Sequence, residues 1–216
     1  MSFASRPLDQ PGEYARPNPY NYRQEYGISA FDIKQNVVFC YNYELPFEKL
    51  FHTRSRLVQG WAVSGITRFA TGLPVTFASF GDNALINVQN NRVNGISIDL
   101  PYVVPGNLQI NHNPRNGQPY FNTSLFTPNA LGTPGNSSRR PFYGPGMDNY
   151  GLAVHKITKF TESRTLEIRF ETFNAFNHAQ FFGGSSVDGN ISSATFGYVT
   201  HAAPPRISQV AAKFTF

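Results

Sequence analysis

The stretch RTLEIRFETFNAFNH, Arg164–His178, determines the fold that the sequence predicts. From residue 165 to residue 172 its apolar and polar side chains alternate one by one, which is the pattern of a strand with two different faces. A helix with this sequence would spread its charges around its whole surface. The polar face carries Glu167, Arg169 and Glu171. The stretch therefore predicts a strand, and its function depends on what the two faces contact.

The last residues of the chain, PRISQVAAKFTF, alternate in the same way. A strand that ends the chain on an aromatic residue resembles the last strand of a bacterial outer-membrane barrel. By this resemblance, its apolar face is a signal that the barrel-assembly machinery recognises. The residues of this predicted assembly signal are Val210, Ala212, Phe214 and Phe216.

The composition favours an all-β protein with many turns. Aromatic residues make up 15% of the chain and charged residues only 14%, with 18 glycines and 16 prolines. No apolar run reaches the length of a transmembrane helix, whereas a membrane β-strand needs only about 9–11 alternating residues. Cys40 is the only cysteine, which excludes a disulfide within the chain and a cysteine-based metal site. The net charge of +5 comes without a Lys/Arg cluster, so no nucleic-acid partner is expected.

Five segments are predicted to be strands, and the connections between them are alternately short and long. The first 26 residues are expected to form an irregular loop without an apolar signal-peptide core. Long loops are expected at residues 81–148 and 179–204. Such loops are uncommon inside a compact soluble domain but are usual on the outer side of a membrane barrel. The predicted strands lie near residues 31–45, 56–76, 149–160, 164–178 and 205–216.

Several segments together resemble the C-terminal end of TonB-dependent outer-membrane receptors, specifically the Oar-like barrel family. They occur in the order that this family shows, and the resemblance extends over about residues 27–216. The chain departs from the family pattern in three places: Gly151 replaces an acidic residue, His155 replaces an aromatic one, and Gln35-Asn36 lies where the family often has basic residues or His. The segments are FDIKQNVVFCYNYELPF (Phe31–Phe47), GWAVSGITRFATGLPVTF (Gly60–Phe77), YGPGMDNYGLAVHK (Tyr143–Lys156), ETFNAFNHAQF (Glu171–Phe181) and SATFGYVTHAAPPR (Ser193–Arg206).

The resemblance implies antiparallel strands that form the C-terminal portion of a transmembrane β-barrel in the Gram-negative outer membrane. Family members add a signal peptide, a plug domain and a barrel of about 22 strands. With five strands, this chain is expected to be a fragment, because even small barrels need about eight. The implied partners are outer-membrane lipid, the barrel-assembly machinery, the TonB complex acting through a plug domain, and a small solute, oligosaccharide or peptide. Glu167, Arg169 and Glu171 would then face the lumen.

No enzyme chemistry is predicted. The sequence lacks phosphate-binding, dinucleotide-binding and serine-hydrolase motifs, so no cofactor and no catalytic residue are expected. The five histidines do not have metal-ligand spacing, so no metal site is predicted either. The alternative to a transport function is a secreted or surface β-rich adhesin or carbohydrate-binding module. That alternative predicts a closed soluble sandwich, whereas a barrel segment requires detergent.

Overall fold

The computed structural model describes residues 3–4, 27–85, 92–93, 96–138 and 140–216 of the chain. The irregular loop predicted at residues 1–26 lies outside this part, apart from Phe3–Ala4. The described residues divide into two compact units. The first, called the sheet unit, comprises Asn36–Ala70, Met147–Gln180 and Pro204–Phe216. The second, called the loop unit, comprises the described residues of Met1–Gln35, Thr71–Gly146 and Phe181–Ala203.

The described part of the chain is almost entirely β-structure, with one short α-helix, α1 (Phe47–Leu50), and one 3₁₀ turn (Thr123–Leu125). No helix in this part is long and apolar enough to cross a bilayer. In chain order the strands are β1 (Phe3–Ala4), β2 (Gly27–Ile28), β3 (Asn36–Glu44), β4 (Trp61–Ala70), β5 (Pro74–Val75), β6 (Ser79–Phe80), β7 (Arg92–Val93), β8 (Ile96–Asp99), β9 (Tyr102–Val103), β10 (Phe126–Thr127), β11 (Phe142–Tyr143), β12 (Met147–Lys159), β13 (Thr165–Phe173) and β14 (Ile207–Thr215).

The sheet unit is organised around one five-stranded antiparallel sheet in the order β14-β13-β12-β4-β3. Each strand pairs with the one before it within the unit, so the chain runs back and forth across the sheet. Among the described residues β3 and β14 form its two open edges. The predicted all-β antiparallel fold is confirmed.

The register of the sheet places large apolar side chains of all five strands on one face, whereas the opposite face mixes polar side chains with exposed apolar ones such as Ile66, Phe173 and Ile207. One row across the sheet consists entirely of apolar and aromatic residues, and the next row, on the opposite face, contains no large apolar side chain. These two faces are the ones that alternation in the sequence predicts. The apolar row is Tyr43, Val63, Val154, Phe170 and Val210. The polar row is Asn42, Ser64, Ala153, Glu171 and Gln209.

The connections at the two ends of the sheet differ in length. At one end, the short-connection end, α1 follows Pro46 between β3 and β4, and a tight turn joins β12 to β13. In that turn the Phe160 N–H donates to the Arg164 carbonyl at 2.9 Å, and the Arg164 N–H donates to the Thr161 hydroxyl at 3.0 Å. At the other end, the long-connection end, residues 71–146 and 174–206 link the strands.

The strand bounds differ from the predicted ones for identifiable reasons. β3 begins five residues later than expected, because residues 29–32 form a turn in which the Asp32 N–H donates to the Ser29 carbonyl at 3.1 Å. β13 ends at Phe173, because Asn174 adopts a left-handed conformation with φ of 52°. After β4 the chain does not continue in the sheet; β5 pairs with β11 instead.

The loop unit has its own core of aromatic side chains. Phe121 is fully buried, and its ring centroid lies 4.8 Å from that of Phe77 and 5.2 Å from that of Phe196. Such edge and tilted ring contacts stabilise aromatic clusters beyond simple burial. The other core residues are Val75, Tyr120, Phe126, Phe142 and Val187.

This core changes the prediction for the two long loops. The sequence predicts loops with few elements at residues 81–148 and 179–204. The described residues of the first segment nevertheless contain the short strands β7 to β11, and those of the second contribute to isolated bridges such as Val187 with Val199. Phe121 and Phe126 come from the first segment, and Val187 and Phe196 come from the second. The two loops therefore form one compact body, since neither encloses this core alone. Residues 86–91, 94–95 and 139 of the first loop lie outside the described residues.

Candidate functional site

The polar face of the sheet carries the predicted charged triad on β13. Arg169 lies between two acidic residues, with its guanidinium nitrogens 3.2 Å from the Glu167 carboxylate and 3.1 Å from the Glu171 carboxylate. Lys213 is the cross-strand partner of Glu167, and Gln209 Nε2 donates to the Glu171 carboxylate. The two acids and two bases neutralise one another. Because these groups are exposed to solvent, their ion pairs add little stability.

An open cleft of about 480 Å³ lies on the sheet unit near the short-connection end. His155 is part of its lining, and its Nδ1 atom is buried without a hydrogen-bond partner. The cross-strand partners of His155 are Arg169 on β13 and Ala62 on β4. The charged residues that line the cleft are Glu44, Glu48, Arg56 and Lys159. Because the cleft is lined by two acidic and two basic side chains, it is a polar and hydrated surface.

A row of aromatic rings lies on the apolar face near the long-connection end. The Phe69 ring lies 6.4 Å from Phe39 on one side and 5.8 Å from Tyr150 on the other. Phe176, just after β13, continues the row at 4.9 Å from Tyr150. Along β4, Phe69 and Trp61 lie eight residues apart, which corresponds to roughly 26 Å of strand at about 3.3 Å per residue. Aromatic residues thus lie near both ends of an apolar band.

Lys156 is the one basic side chain on the apolar face within the described residues of the five strands. Its Nζ donates to the carbonyls of Arg56, Leu57 and Gln59 at 2.9–3.0 Å and lies 5.0 Å from the centroid of the Trp61 ring. Trp61 Nε1 also donates to the Leu57 carbonyl, at 2.9 Å. The ammonium is directed to the short-connection end, so the side chain reaches polar atoms while its stem covers apolar surface.

Three described ionisable groups of the loop unit have shifted pKa values, and one of them is Tyr120, whose pKa is raised by burial. Burial, the hydrogen bond to Asp32 and the negative charge of Asp32 raise the pKa of Tyr143 to about 12. The Tyr143 hydroxyl donates to Asp32 Oδ2 at 2.6 Å. For Asp188, burial acts to raise the pKa, but hydrogen bonds from Ser193, Thr195 and the Asn190 N–H lower it overall. The Tyr143 hydroxyl thus joins two distant segments of the loop unit, whereas Asp188 holds the turn that directly follows it.

In the described part of the chain, no three or more His, Cys, Asp or Glu side chains group closely enough to hold a metal ion. The charged triad consists of an exposed arginine paired with two half-buried carboxylates. Cys40 is a free and exposed thiol on the polar face. The candidate functional surfaces of the chain are therefore the polar face and the apolar face of the sheet, and the surface of the loop unit.

The family model of the outer membrane beta barrel domain matches residues 4–209. The chain belongs to this family. It is therefore a protein of the Gram-negative outer membrane, as the resemblance in sequence implies. No curated protein and no solved structure matches the chain.

The sheet register shows on which face each predicted site residue of this family member lies. Glu167, Arg169 and Glu171 share one face, and their orientation toward a lumen stays a prediction. Val210, Ala212 and Phe214 lie on the apolar face of β14, opposite Phe170, Ile168 and Leu166, respectively. Phe216 follows the strand and is 91% exposed, with its ring stacked on Phe214 at 6.2 Å. Recognition of these residues by the barrel-assembly machinery also stays a prediction.

Sequence reasoning missed the aromatic core of the loop unit and the carbonyl cage of Lys156. Periodicity could not reveal the core, since its residues lie in irregular segments far apart in the chain. The cage has a partial signal, because Lys156 directly follows the alternating series Tyr150, Leu152 and Val154 on the same face of β12. A charge at such a position indicates either a polar partner or a strand end.

Proposed function

We propose that the chain is the C-terminal barrel segment of a TonB-dependent outer-membrane transporter of the Oar-like branch. Its strands form part of the barrel wall, with the apolar face toward lipid and the polar face toward the lumen. The loop unit lies on the outer side and contacts the solute, oligosaccharide or peptide that is taken up. The segment itself contributes no catalytic group.

One observation carries the proposal: the sheet exposes a continuous apolar surface across all five strands. Phe39, Phe170 and Val210 are exposed on this face, although side chains of this kind are usually buried in soluble domains. A surface of this extent fits a hydrocarbon environment. The polar face carries the charged triad of β13 together with Lys213, and these charged side chains fit contact with water in a lumen.

The arrangement of connections supports the orientation. Long loops of bacterial barrels lie outside and short turns lie in the periplasm. With the long-connection end outside, Lys156 and Trp61 are at the periplasmic interface, where snorkelling lysines and aromatic girdles are common. The row from Phe39 to Phe176 is then the outer girdle. Coupling to TonB would require a plug domain encoded elsewhere in the same protein.

The alternative, a secreted adhesin or carbohydrate-binding module, requires a closed sandwich with a covered apolar face. Phe39 is 56% exposed, and Tyr43 and Val210 on the same face are exposed as well. These exposures favour a membrane wall over a soluble sandwich.

The first experiment is to sequence the DNA upstream of the Met1 codon. A plug domain and further alternating strands in the same reading frame would support the transporter. An unrelated upstream gene with its own terminator would contradict it. In a parallel assay the full chain is refolded with and without detergent micelles. Soluble, monomeric β-structure without detergent would favour the adhesin instead.

A further inference from the structure

The connection between β3 and β4, residues 45–60, exposes three large apolar side chains at the short-connection end of the sheet. Leu50 is 66% exposed, Phe51 61% and Leu57 78%. The helix α1 opens this connection and buries none of its residues. Exposed apolar side chains that occur together in one short segment indicate a surface that another body covers.

Ring contacts join the β3–β4 connection to the apolar face of the sheet. The Phe51 ring lies 5.9 Å from the Phe47 ring, and the Phe47 ring lies 6.5 Å from the Trp61 ring. Trp61 begins β4 and lies on the apolar face, opposite Lys156 of β12. The connection therefore extends the apolar face beyond the end of the strands.

Hydrogen bonds hold the second half of the connection beside the same face. Lys156 Nζ donates to the carbonyls of Arg56, Leu57 and Gln59, and Trp61 Nε1 donates to the Leu57 carbonyl. Both donor side chains belong to the apolar face. The backbone that carries the exposed Leu57 side chain is thus fixed at the edge of this face.

The β3–β4 connection also carries an excess of positive charge. Lys49, Arg54 and Arg56 are exposed, and the only acidic residue of the connection, Glu48, accepts from Gln59 Nε2 at 3.3 Å. Exposed apolar and basic side chains in one segment are typical of elements that lie at a membrane surface. Long basic side chains can reach head groups while their stems cover apolar surface.

We propose that the β3–β4 connection lies in the head-group region of the periplasmic leaflet and binds anionic phospholipid there. Phe51 and Leu57 enter the acyl boundary beside Trp61, and the three basic side chains bind the lipid phosphates. Two observations select this partner: the connection is continuous with a face that fits lipid, and its charge complements an anionic head group. The inference rests on the proposed orientation of the sheet. It goes beyond that orientation, because short connections of barrels are ordinarily turns in the periplasm.

The test uses the fact that Trp61 is the only tryptophan of the chain. The full chain is refolded into vesicles that contain phospholipid brominated on its acyl chains, which quenches a tryptophan that touches lipid. The parent chain reports on residue 61. Two double variants, Trp61→Phe with Phe51→Trp and Trp61→Phe with Leu57→Trp, report on the connection. Two positions are tested so that a misfolded variant does not decide the result.

A fourth chain, Trp61→Phe with Leu131→Trp, is the matched control, because Leu131 is 75% exposed in the loop unit. We expect brominated lipid to remove most of the tryptophan emission at residues 61, 51 and 57 and little of it at residue 131. Quenching at residue 61 without quenching at residues 51 and 57 would overturn the proposal and leave the apolar face in lipid. An absence of quenching at all three would overturn both assignments.

The preference for anionic lipid is measured with the Phe51→Trp double variant. Brominated phosphatidylglycerol in unlabelled phosphatidylcholine is compared with the reverse mixture. We expect the binding constant for phosphatidylglycerol to be higher by about fivefold or more, since each basic side chain near an anionic surface contributes about that factor. High salt should reduce this preference because it screens the exposed charges.

Substitution of the basic side chains identifies the groups that bind the phosphates. Lys49→Gln, Arg54→Gln and Arg56→Gln, combined in the Phe51→Trp double variant, should abolish the preference. Lys213→Gln is the control, because Lys213 lies on the polar face of β14, opposite Glu167, and this chain should keep the full preference. Equal quenching by the two lipids before these substitutions, or equal loss in the control, would contradict the binding of anionic head groups.

Discussion

On the apolar face of the sheet, the ring of Tyr41 packs over the backbone of Gly65 on the neighbouring strand. The two residues are cross-strand partners, and the Tyr41 hydroxyl lies 3.4 Å from Thr67 Oγ1. A Cβ on Gly65 would lie 2.6 Å from the ring and 2.7 Å from the Gly151 carbonyl oxygen. An aromatic ring that covers a strand glycine shields the backbone that the missing side chain exposes.

The first prediction concerns these glycines. Gly65→Ala is expected to destabilise the chain by about 1–3 kcal/mol, because ring and backbone must move apart. Gly151→Ala on β12 is the matched control, since its Cβ would lie 3.6 Å from the nearest atom, the Ile66 carbonyl oxygen. The control should be neutral or stabilising, because alanine loses less backbone entropy than glycine. Urea unfolding from vesicles measures both, and equal costs would contradict the close packing at Gly65.

The second prediction uses Cys40, the only thiol of the chain. Cys40 lies on the polar face, whereas its neighbour Phe39 lies on the apolar one. In vesicles a charged, water-soluble maleimide should label Cys40. In the double variant Cys40→Ala, Phe39→Cys, the introduced thiol should be labelled at least about tenfold more slowly than Cys40 is in the parent chain. The reason is that the reactive thiolate is disfavoured in hydrocarbon. Gel-shift labelling gives the rates. Equal rates would mean that the apolar face is not in lipid.

The third prediction concerns Tyr143, whose pKa is raised to about 12 by burial and by Asp32. The folded state favours the neutral phenol, so this stabilisation is complete below pH 10 and is lost as pH rises from 10 to 12. Absorbance at the tyrosinate band should show one group with a midpoint near 12 that Tyr143→Phe removes. The variant should also lack the corresponding fall in stability. A parent–variant difference that titrates near pH 10 would contradict this assignment.

At the scale of the element, alternation predicts the faces of β13 and β14, because the side-chain period of a strand is two residues whatever its neighbours are. The ends were less predictable. β13 ends where Asn174 adopts a left-handed conformation, and nothing in an alternating pattern shows φ. β3 begins later than predicted, because the turn at residues 29–32 precedes it.

The fourth prediction compares the two faces with identical substitutions. Ala212→Arg places a charge on the apolar face of β14, opposite Ile168, and should cost about 2–4 kcal/mol if it lies near the bilayer centre. Ala153→Arg places the same side chain on the polar face of β12, opposite Glu171, and should be tolerated. The free energy of folding into vesicles distinguishes them. Equal costs would remove the assignment of the apolar face to lipid.

At the scale of the whole molecule, the loop unit could not be predicted from the sequence. Its core residues Phe77 and Phe121 and the partly buried Phe196 that packs against them follow no period, and their contacts join segments separated by β12 and β13. Each segment alone contains many Asn, Gly and Pro residues, which indicate turns. Only the three-dimensional arrangement shows that these turns bring the aromatic rings together.

The fifth prediction tests whether the two long connections form one body. Phe121→Ala removes a fully buried ring and should destabilise the loop unit by about 3–5 kcal/mol. Limited proteolysis should then cut both residues 71–146 and residues 181–203 faster. Leu131→Ala in the same unit is the control, because Leu131 is 75% exposed. Faster cleavage in the first segment alone would show that the two segments fold separately.

The shared core of the loop unit also limits how this surface can diversify. Each long connection supplies aromatic side chains that the other needs, with β12 and β13 encoded between them. A recombination event that replaces only one connection would leave half of a core facing unrelated partners. Variants with new surfaces should therefore arise by point changes at exposed positions, or by exchange of both connections in one step. Grafting designs on this scaffold face the same constraint and must transfer the two segments as a pair.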